Sequence, residues 1–300
     1  MSATQIELFD IPKDDKKQIG FKQLKYPVWT ELKARLIQKY LYYFVLITKH
    51  GTYIDGFAGP QNEKEPHLWA AKLALECEPK RLRNFFLFDK KRKQYECLIR
   101  LKKSQPECSG REIEVRCGDF NSLIQKFLKE NPIKEKEATF CLLDQRTFEC
   151  HWSTVETLAT HKKQGYKIEL FYFLPIGWLD RAFSGIRKKK KLKAWWGRDD
   201  WKKILDAKAY DRAILFCKRF ENEFHYNYVH PWPIYEKRGG GRIMYFMIHA
   251  TDHPAAPNLM WRAYTEIVKN LSTEQQAFFD FEGKNSIPPK LPKGLQLPQI

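Results

Sequence analysis

Four strand-like segments of the chain each run into an aspartate, and each is followed by a stretch of helical period. They are Tyr53-Ile54-Asp55, then Asn84-Phe85-Phe86-Leu87-Phe88-Asp89, then Glu112 to Cys117 with Gly118-Asp119, then Thr139-Phe140-Cys141-Leu142-Leu143-Asp144. A further apolar run, Ile168 to Leu174, follows. Strands that are apolar throughout are buried on both faces, which predicts a mostly parallel sheet sandwiched between helices. The intervening helices are marked by Leu68, Ala71 and Leu75 after Pro66, by Tyr95, Leu98 and Ile99, by Leu123, Ile124, Phe127 and Leu128, and by Trp152, Val155, Leu158 and Ala159. This spacing is the signature of amphipathic helices. The fold class expected is α/β, a Rossmann-like three-layer sandwich.

Both ends add to this frame. A helix opens at Trp29, with Leu32, Leu36, Tyr40 and Tyr43 on one face and Lys33, Arg35 and Gln38 on others, and Gly51 is read as its stop. Val229 to Tyr235 and Arg242 to Ala250 flank the glycine-rich Glu236 to Gly241, a C-terminal β-hairpin. A last helix runs through Met260, Tyr264 and Ile267. The organisation expected is a polar arm over 1–28, the α/β domain over 29–270 with a basic, aromatic helical insertion at about 180–225, and a proline-rich tail over 271–300. One helix through Trp201, Ile204, Leu205, Ile214 and Leu215 is expected within the insertion.

The formal net charge of +17 points to a polyanionic partner. Between Arg187 and Lys203 nine Lys or Arg stand against two Asp, so +7 of that +17 sits in one short stretch. Arg187, Lys188, Lys189, Lys190, Lys191 and Lys193, with Trp195 and Trp196 for base stacking, are the candidate nucleic-acid contacts, for DNA or RNA. A solvated charge run and a helix-packing tryptophan pair are the plain alternatives. The seven cysteines include no CxxC, and Cys150-His151 lacks a spaced partner pair, so neither a disulfide framework nor a metal site is expected. No apolar run reaches the roughly 20 residues of a membrane span, and the N-terminal stretch MSATQIELFDIPKDDKK is polar. A soluble, cytoplasmic protein without a membrane partner is the expectation.

In open α/β sheets ligands sit at the carboxyl ends of the strands. Asp55, Asp89, Asp119 and Asp144 all end strands there, at intervals of 34, 30 and 25 residues. Carboxylates so placed suit ribose hydroxyls, although each could equally cap a helix or a turn. GxGxxG is absent, which weakens a dinucleotide reading.

The pattern resembles class I S-adenosylmethionine-dependent methyltransferases. The resemblance implies that Asp55, Gly56, Phe57 and Gly59 form the loop around the methionine part of the cofactor, that Asp89 holds the ribose, and that Asp119 and Phe120 border the adenine. More narrowly, Tyr53 to Pro60, Leu143-Asp144 with Trp152 to Val155, Leu170 to Gly177, Trp195 to Trp201, and Thr251 to Pro254 with Leu259-Met260 are similar to the three-Cys-motif partner family. That family is methyltransferase-like in fold and is encoded beside a partner with a three-cysteine motif resembling an iron–sulfur radical enzyme. Two departures stand out. Gln61 follows Pro60 where the family commonly continues with glycine, and a Cβ there is expected to crowd a ligand. Asp144-Gln145-Arg146-Thr147-Phe148 replaces the usual Asp-Pro with a following aromatic, and without proline the backbone is less fixed. Asp144, as acceptor of an amine hydrogen bond, and Phe148, as a base-stacking ring, remain the candidate catalytic residues. The reading that follows is an S-adenosylmethionine-dependent methyltransferase acting on nucleic acid. A non-catalytic nucleic-acid-binding subunit and a metal-dependent, nuclease-like hydrolase are the alternatives.

Overall fold

The structure, a computed structural model, describes residues 28–106, 110–130, 132–176, 179, 189–237 and 240–267. The expected polar arm and proline-rich tail lie outside these residues, apart from Val28 itself. Helix α1 (Val28–Thr48) forms on its apolar stripe: Leu32, Leu36, Tyr40 and Tyr43 are each buried. It ends at Lys49, which takes the left-handed conformation (φ 60°). The expected stop at Gly51 is therefore corrected. Gly51 opens strand β1 (Gly51–Asp55), where a Cβ would lie 2.9 Å from the Phe44 ring.

The chain then alternates as expected: α2 (Ala70–Leu75), β2 (Leu82–Asp89), α3 (Arg92–Lys103), β3 (Glu112–Cys117), α4 (Phe120–Lys129), β4 (Thr139–Leu143), α5 (Trp152–Ala159) and β5 (Glu169–Leu174). Helices α6 (Lys189–Trp196), α7 (Lys203–Asp206) and α8 (Ala209–Phe224) lead to the hairpin β6 (Tyr228–Lys237) and β7 (Gly240–Thr251), and α9 (Ala256–Ile267) follows. The seven strands form one sheet in the order β3-β2-β1-β4-β5-β7-β6. Strands β1 to β5 pair in parallel, and β7 is antiparallel to both β5 and β6. This is a Rossmann-like, three-layer α/β sandwich.

Successive strand residues feed opposite layers. Tyr53, Phe140, Leu142 and Phe171 pack with α1, α2 and α9, whereas Ile54, Cys141, Leu143 and Tyr172 pack with α4, α5 and α8. Both faces are covered, which is why the central strands carry no polar alternation. Edge strand β3 is half-buried at best and does alternate in sequence.

The insertion differs from expectation in two ways. The helix expected through Trp201 to Leu215 is broken at Ala207-Lys208, and the buried stripe of α8 is Ala213, Phe216, Cys217 and Phe220, with Ile214 and Leu215 only half-buried. Trp195 and Trp196 are 1% and 4% exposed, so they are core residues and not stacking platforms. Trp195 packs on Phe216 and Phe148, and the buried Arg219 guanidinium lies 3.9 Å from the Trp152 ring and 4.3 Å from that of Trp196. No helix among the described residues is long and apolar enough to cross a membrane.

Candidate functional site

The strand order reverses between β1 and β4, so a crevice opens at their carboxyl ends. The chain leaving β1 folds back across both neighbours: the Gly56 amide donates to the Leu142 carbonyl (3.1 Å) and that of Ala58 to the Phe88 carbonyl (2.8 Å). Asp55 is buried beneath the loop and accepts from the Phe57 amide and the Tyr53 hydroxyl, each at 3.0 Å. The Gly59 amide donates to Asp89 Oδ2 at 3.1 Å. From outside, Trp69 Nε1 donates to the Ala58 carbonyl (2.6 Å) and Gln94 Nε2 to the Pro60 carbonyl (2.7 Å). Both glycines are required by close approach. A Cβ on Gly56 would lie 2.7 Å from the Phe120 ring, and one on Gly59 would lie 2.4 Å from Asp89 Oδ2.

Gln61 does not crowd this loop. It is exposed at the rim, and its backbone is outside the left-handed region. There it forms part of the lining of the cleft.

Burial pushes the Asp55 carboxyl up to about 7. The Phe57 amide and the Tyr53 hydroxyl pull it down, while Asp144 and Asp89 add to the rise. Asp89 is half-buried and its Oδ1 accepts from the Lys91 amide at 2.8 Å, so it ties the β1 loop to the start of α3 while it still faces the crevice. Asp119 acts as the N-cap of α4, accepting from the Asn121 amide at 2.9 Å, and also lines the crevice. Phe120 is 2% exposed, held between Gly56 and the Phe57 and Phe88 rings. It is the loop's floor, and the half-buried Phe57 has more surface to offer a ligand.

Asp144 is paired. Lys33 of α1 reaches both its oxygens, at 2.8 Å and 2.7 Å, and is itself buried. The following loop is fixed by Gln145, which is 1% exposed. Its Oε1 accepts from the Glu149 and Cys150 amides (2.9 Å each) and its Nε2 donates to the Phe173 carbonyl (3.0 Å). Asn121 clamps the same loop from the other side, donating to the Glu149 carbonyl and accepting from the His151 amide, each at 2.8 Å. The expectation of a loosened backbone here is thus corrected. Burial raises the Glu149 carboxyl, but the ammonium of Lys90 and the Arg146 amide outweigh it and hold the group below its usual range.

Asp55, Gly56, Phe57, Gly59, Asp89, Asp119, Phe120, Asp144 and Phe148 all line one cleft of about 1090 Å³, counted out to open solvent. Of the basic run, Lys191 lines that cleft too; Lys190 and Lys193 are exposed on α6, the latter paired with Asp199 at 2.6 Å. Arg187 and Lys188 lie outside the described residues, as does the side chain of Lys189. Sequence reasoning missed the roles of Lys33, Gln145 and Asn121, whose contacts join segments distant in the chain. Cys150 is buried, and among the described residues no group of three or more His, Cys, Asp or Glu is placed to hold a metal ion. His253 serves the turn before α9, its Nδ1 accepting from the Ala255 amide at 3.2 Å.

No family model and no curated protein matches this chain, so the likeness to three-Cys-motif partners rests on the motifs quoted above. Among solved structures the chain is similar to the plantazolicin methyltransferase BamL in complex with a triazolic desmethylPZN analogue and SAH: 10% identity, TM-score 0.44, covering 82% of this chain and 81% of that one. It is also similar to a Legionella pneumophila protein (10%, TM-score 0.45, 81% and 93%) and to Pyrococcus horikoshii TYW2 in complex with MeSAdo (13%, TM-score 0.35, 74% and 61%).

Proposed function

We propose that this protein is an S-adenosylmethionine-dependent methyltransferase acting on nucleic acid, working beside a three-Cys-motif iron–sulfur-type partner. The observation that carries the reading is the β1 loop. Two glycines hold its backbone so close to Phe120 and Asp89 that neither position has room for a Cβ, and Asp55, Asp89, Asp119 and Asp144 meet in the cleft beside it. Such a cradle suits a ligand bearing a ribose and a cationic amino-acid moiety. Asp89 keeps acceptor capacity for the ribose hydroxyls, Phe57 offers an apolar wall, and buried Asp55 braces the loop from behind through the Phe57 amide. S-adenosylmethionine, when bound, supplies an electrophilic methyl group. The chain's task is then to hold the acceptor in line with that group, where orientation provides most of the rate. The charge of +17 and the exposed Lys190, Lys191 and Lys193 support a polyanionic acceptor.

Calorimetric titration with S-adenosylmethionine tests the reading, with Asp89→Ala as control. Saturable heat in the wild type and at least about tenfold weaker binding in the variant are expected. No heat at millimolar ligand would refute it. The departures at Gln61 and Gln145 keep a second reading, a non-catalytic nucleic-acid-binding subunit, which predicts RNA or DNA binding without that heat. The hydrolase reading has no metal-holding group among the described residues to support it.

A further inference from the structure

Lys33 and Asp144 define what kind of atom the cleft can methylate. The Lys33 ammonium donates to Asp144 Oδ1 at 2.8 Å and forms an ion pair with Oδ2 at 2.7 Å, which leaves it N–H capacity to donate further. Each Asp144 oxygen keeps a further lone pair, and both residues line the cleft next to the Gly56–Gly59 loop. The pair therefore presents one strong donor and one strong acceptor at a single point.

The candidate nucleophiles of a nucleic acid differ in what they can give to such a pair. An exocyclic base amine has two protons, and its single lone pair is needed for the methyl group, so the Lys33 N–H would face nothing or compete for that lone pair. An unprotonated ring nitrogen has one lone pair and no proton, so Asp144 would be left facing it. A hydroxyl oxygen has one proton and two lone pairs. Its proton goes to Asp144, one lone pair accepts from Lys33, and the other points at the methyl carbon.

The mouth of the cleft adds the second half of the acceptor's description. Lys91 and Lys191 are exposed there and form no ion pair with any described residue, and Arg146 stands beside them. Cations at a rim suit flanking phosphates. A hydroxyl with a phosphodiester on either side is the ribose 2′-hydroxyl of RNA, which DNA lacks.

We infer that the acceptor is the ribose 2′-hydroxyl of RNA, oriented by Lys33 and Asp144. This rests on the reading of the cleft as an S-adenosylmethionine site. In the step, the hydroxyl oxygen's lone pair forms the new O–CH₃ bond as the S–CH₃ bond breaks. That bond's electron pair stays on sulfur, turning the sulfonium into a thioether. The hydroxyl proton passes to Asp144 and from there to water. Lys33 keeps its proton, and its N–H helps hold the oxygen in line.

The test uses the full chain, labelled S-adenosylmethionine, a randomised RNA pool and the matching 2′-deoxy pool. The products are digested to nucleosides and also treated with alkali, which 2′-O-methylated linkages survive. Label in 2′-O-methyl nucleosides from RNA, and none in the deoxy pool, is expected. Asp144→Asn should lower incorporation by about 100-fold or more. The double variant Lys33→Met/Asp144→Leu replaces the ion pair by apolar groups of similar volume and so preserves folding; it should bind S-adenosylmethionine and still fail to transfer. A second readout needs no methyl donor: wild type should prefer RNA over the deoxy pool by about tenfold, and the double variant should lose that preference. Label in bases or equal labelling of both pools would overturn this inference alone; methyl-donor binding with no labelled nucleic acid would overturn it together with the nucleic-acid acceptor of the proposed function. Absence of donor binding in the wild type would overturn the proposed function with it.

Discussion

Replacing Asp55 with asparagine should change how stability depends on pH, with a sign and size that follow from its burial. The folded protein holds this carboxyl at about 7, against 3.8 for an ordinary aspartate. Between those values the folded chain keeps a proton that the unfolded chain has released. Raising the pH through that window therefore favours the unfolded state, and the loss is complete once the pH exceeds the folded value. At about 1.36 kcal/mol per pH unit, the gap is worth on the order of 4 kcal/mol. Asparagine cannot ionise, yet its oxygen can still accept from the Phe57 amide while its NH₂ faces the Tyr53 hydroxyl as donor. The variant should match the wild type near pH 4 and exceed it by several kcal/mol near pH 8. Urea unfolding of both proteins across that range measures it. Two curves that stay parallel from about pH 4 to pH 8 would mean that Asp55 is ionised throughout in the fold, and that the polar contacts from Phe57 and Tyr53 outweigh its burial.

Gly59→Ala drives a methyl group into Asp89 and Gln94, so S-adenosylmethionine affinity should fall by at least about tenfold in calorimetry while urea unfolding shifts by only about 1–3 kcal/mol. Gln145→Ala strands the Glu149 and Cys150 amides and the Phe173 carbonyl, which should cost about 1–3 kcal/mol and expose these amides to hydrogen exchange. Trp195→Ala empties a core position and should cost about 3–5 kcal/mol in unfolding experiments, a loss that a surface stacking residue would not show. Neutralising Lys190 and Lys191 together should reduce the salt dependence of RNA binding by a slope of roughly 1–2, read from filter binding at several salt concentrations.

The sheet was legible because its central strands are buried on both faces, and a run such as Phe140-Cys141-Leu142-Leu143 has no other way to bury itself. The strand-end aspartates were legible because each is the first acidic residue after a strand-like run. What they do was less legible. Asp119 is held by its own helix and Asp144 by Lys33, and the latter contact joins residues 111 positions apart. Lys33 follows Leu32 on a helix whose period assigns it to a polar face; it is buried against Asp144 and the Phe173 and Tyr245 rings, contacts that no local pattern encodes. The tryptophan pair did carry a usable signal. Leu192, Trp195 and Trp196 stand at i, i+3 and i+4, the spacing of a buried stripe, with Lys190, Lys191 and Lys193 on the other face. The surrounding charge obscured that stripe. The break at Ala207-Lys208 had no glycine or proline to announce it.

Gln61 and Gln145 have different physical consequences. Gln61 lies at the exposed rim of the cleft, after the loop's tight approaches at Gly56 and Gly59. At Gln145 one way of fixing a backbone is exchanged for another. Proline would lock φ and remove a donor. Gln145 keeps its own amide and uses its buried side chain to gather two amides and a carbonyl from outside its own turn, tying the β4 loop to β5. Asn121 ties the far side of that loop to α4. A loop held from both sides leaves Arg146 and Phe148 at the cleft on a fixed base, and it frees the position after Asp144 from carrying the turn alone. Asp144 then needs no help from its neighbour, and its orientation is set across the cleft by Lys33. The Asp144 end of the cleft is therefore organised by α1, an element ahead of the sheet; if the proposed reading holds, substitutions at Lys33 should change acceptor choice without moving the β1 loop.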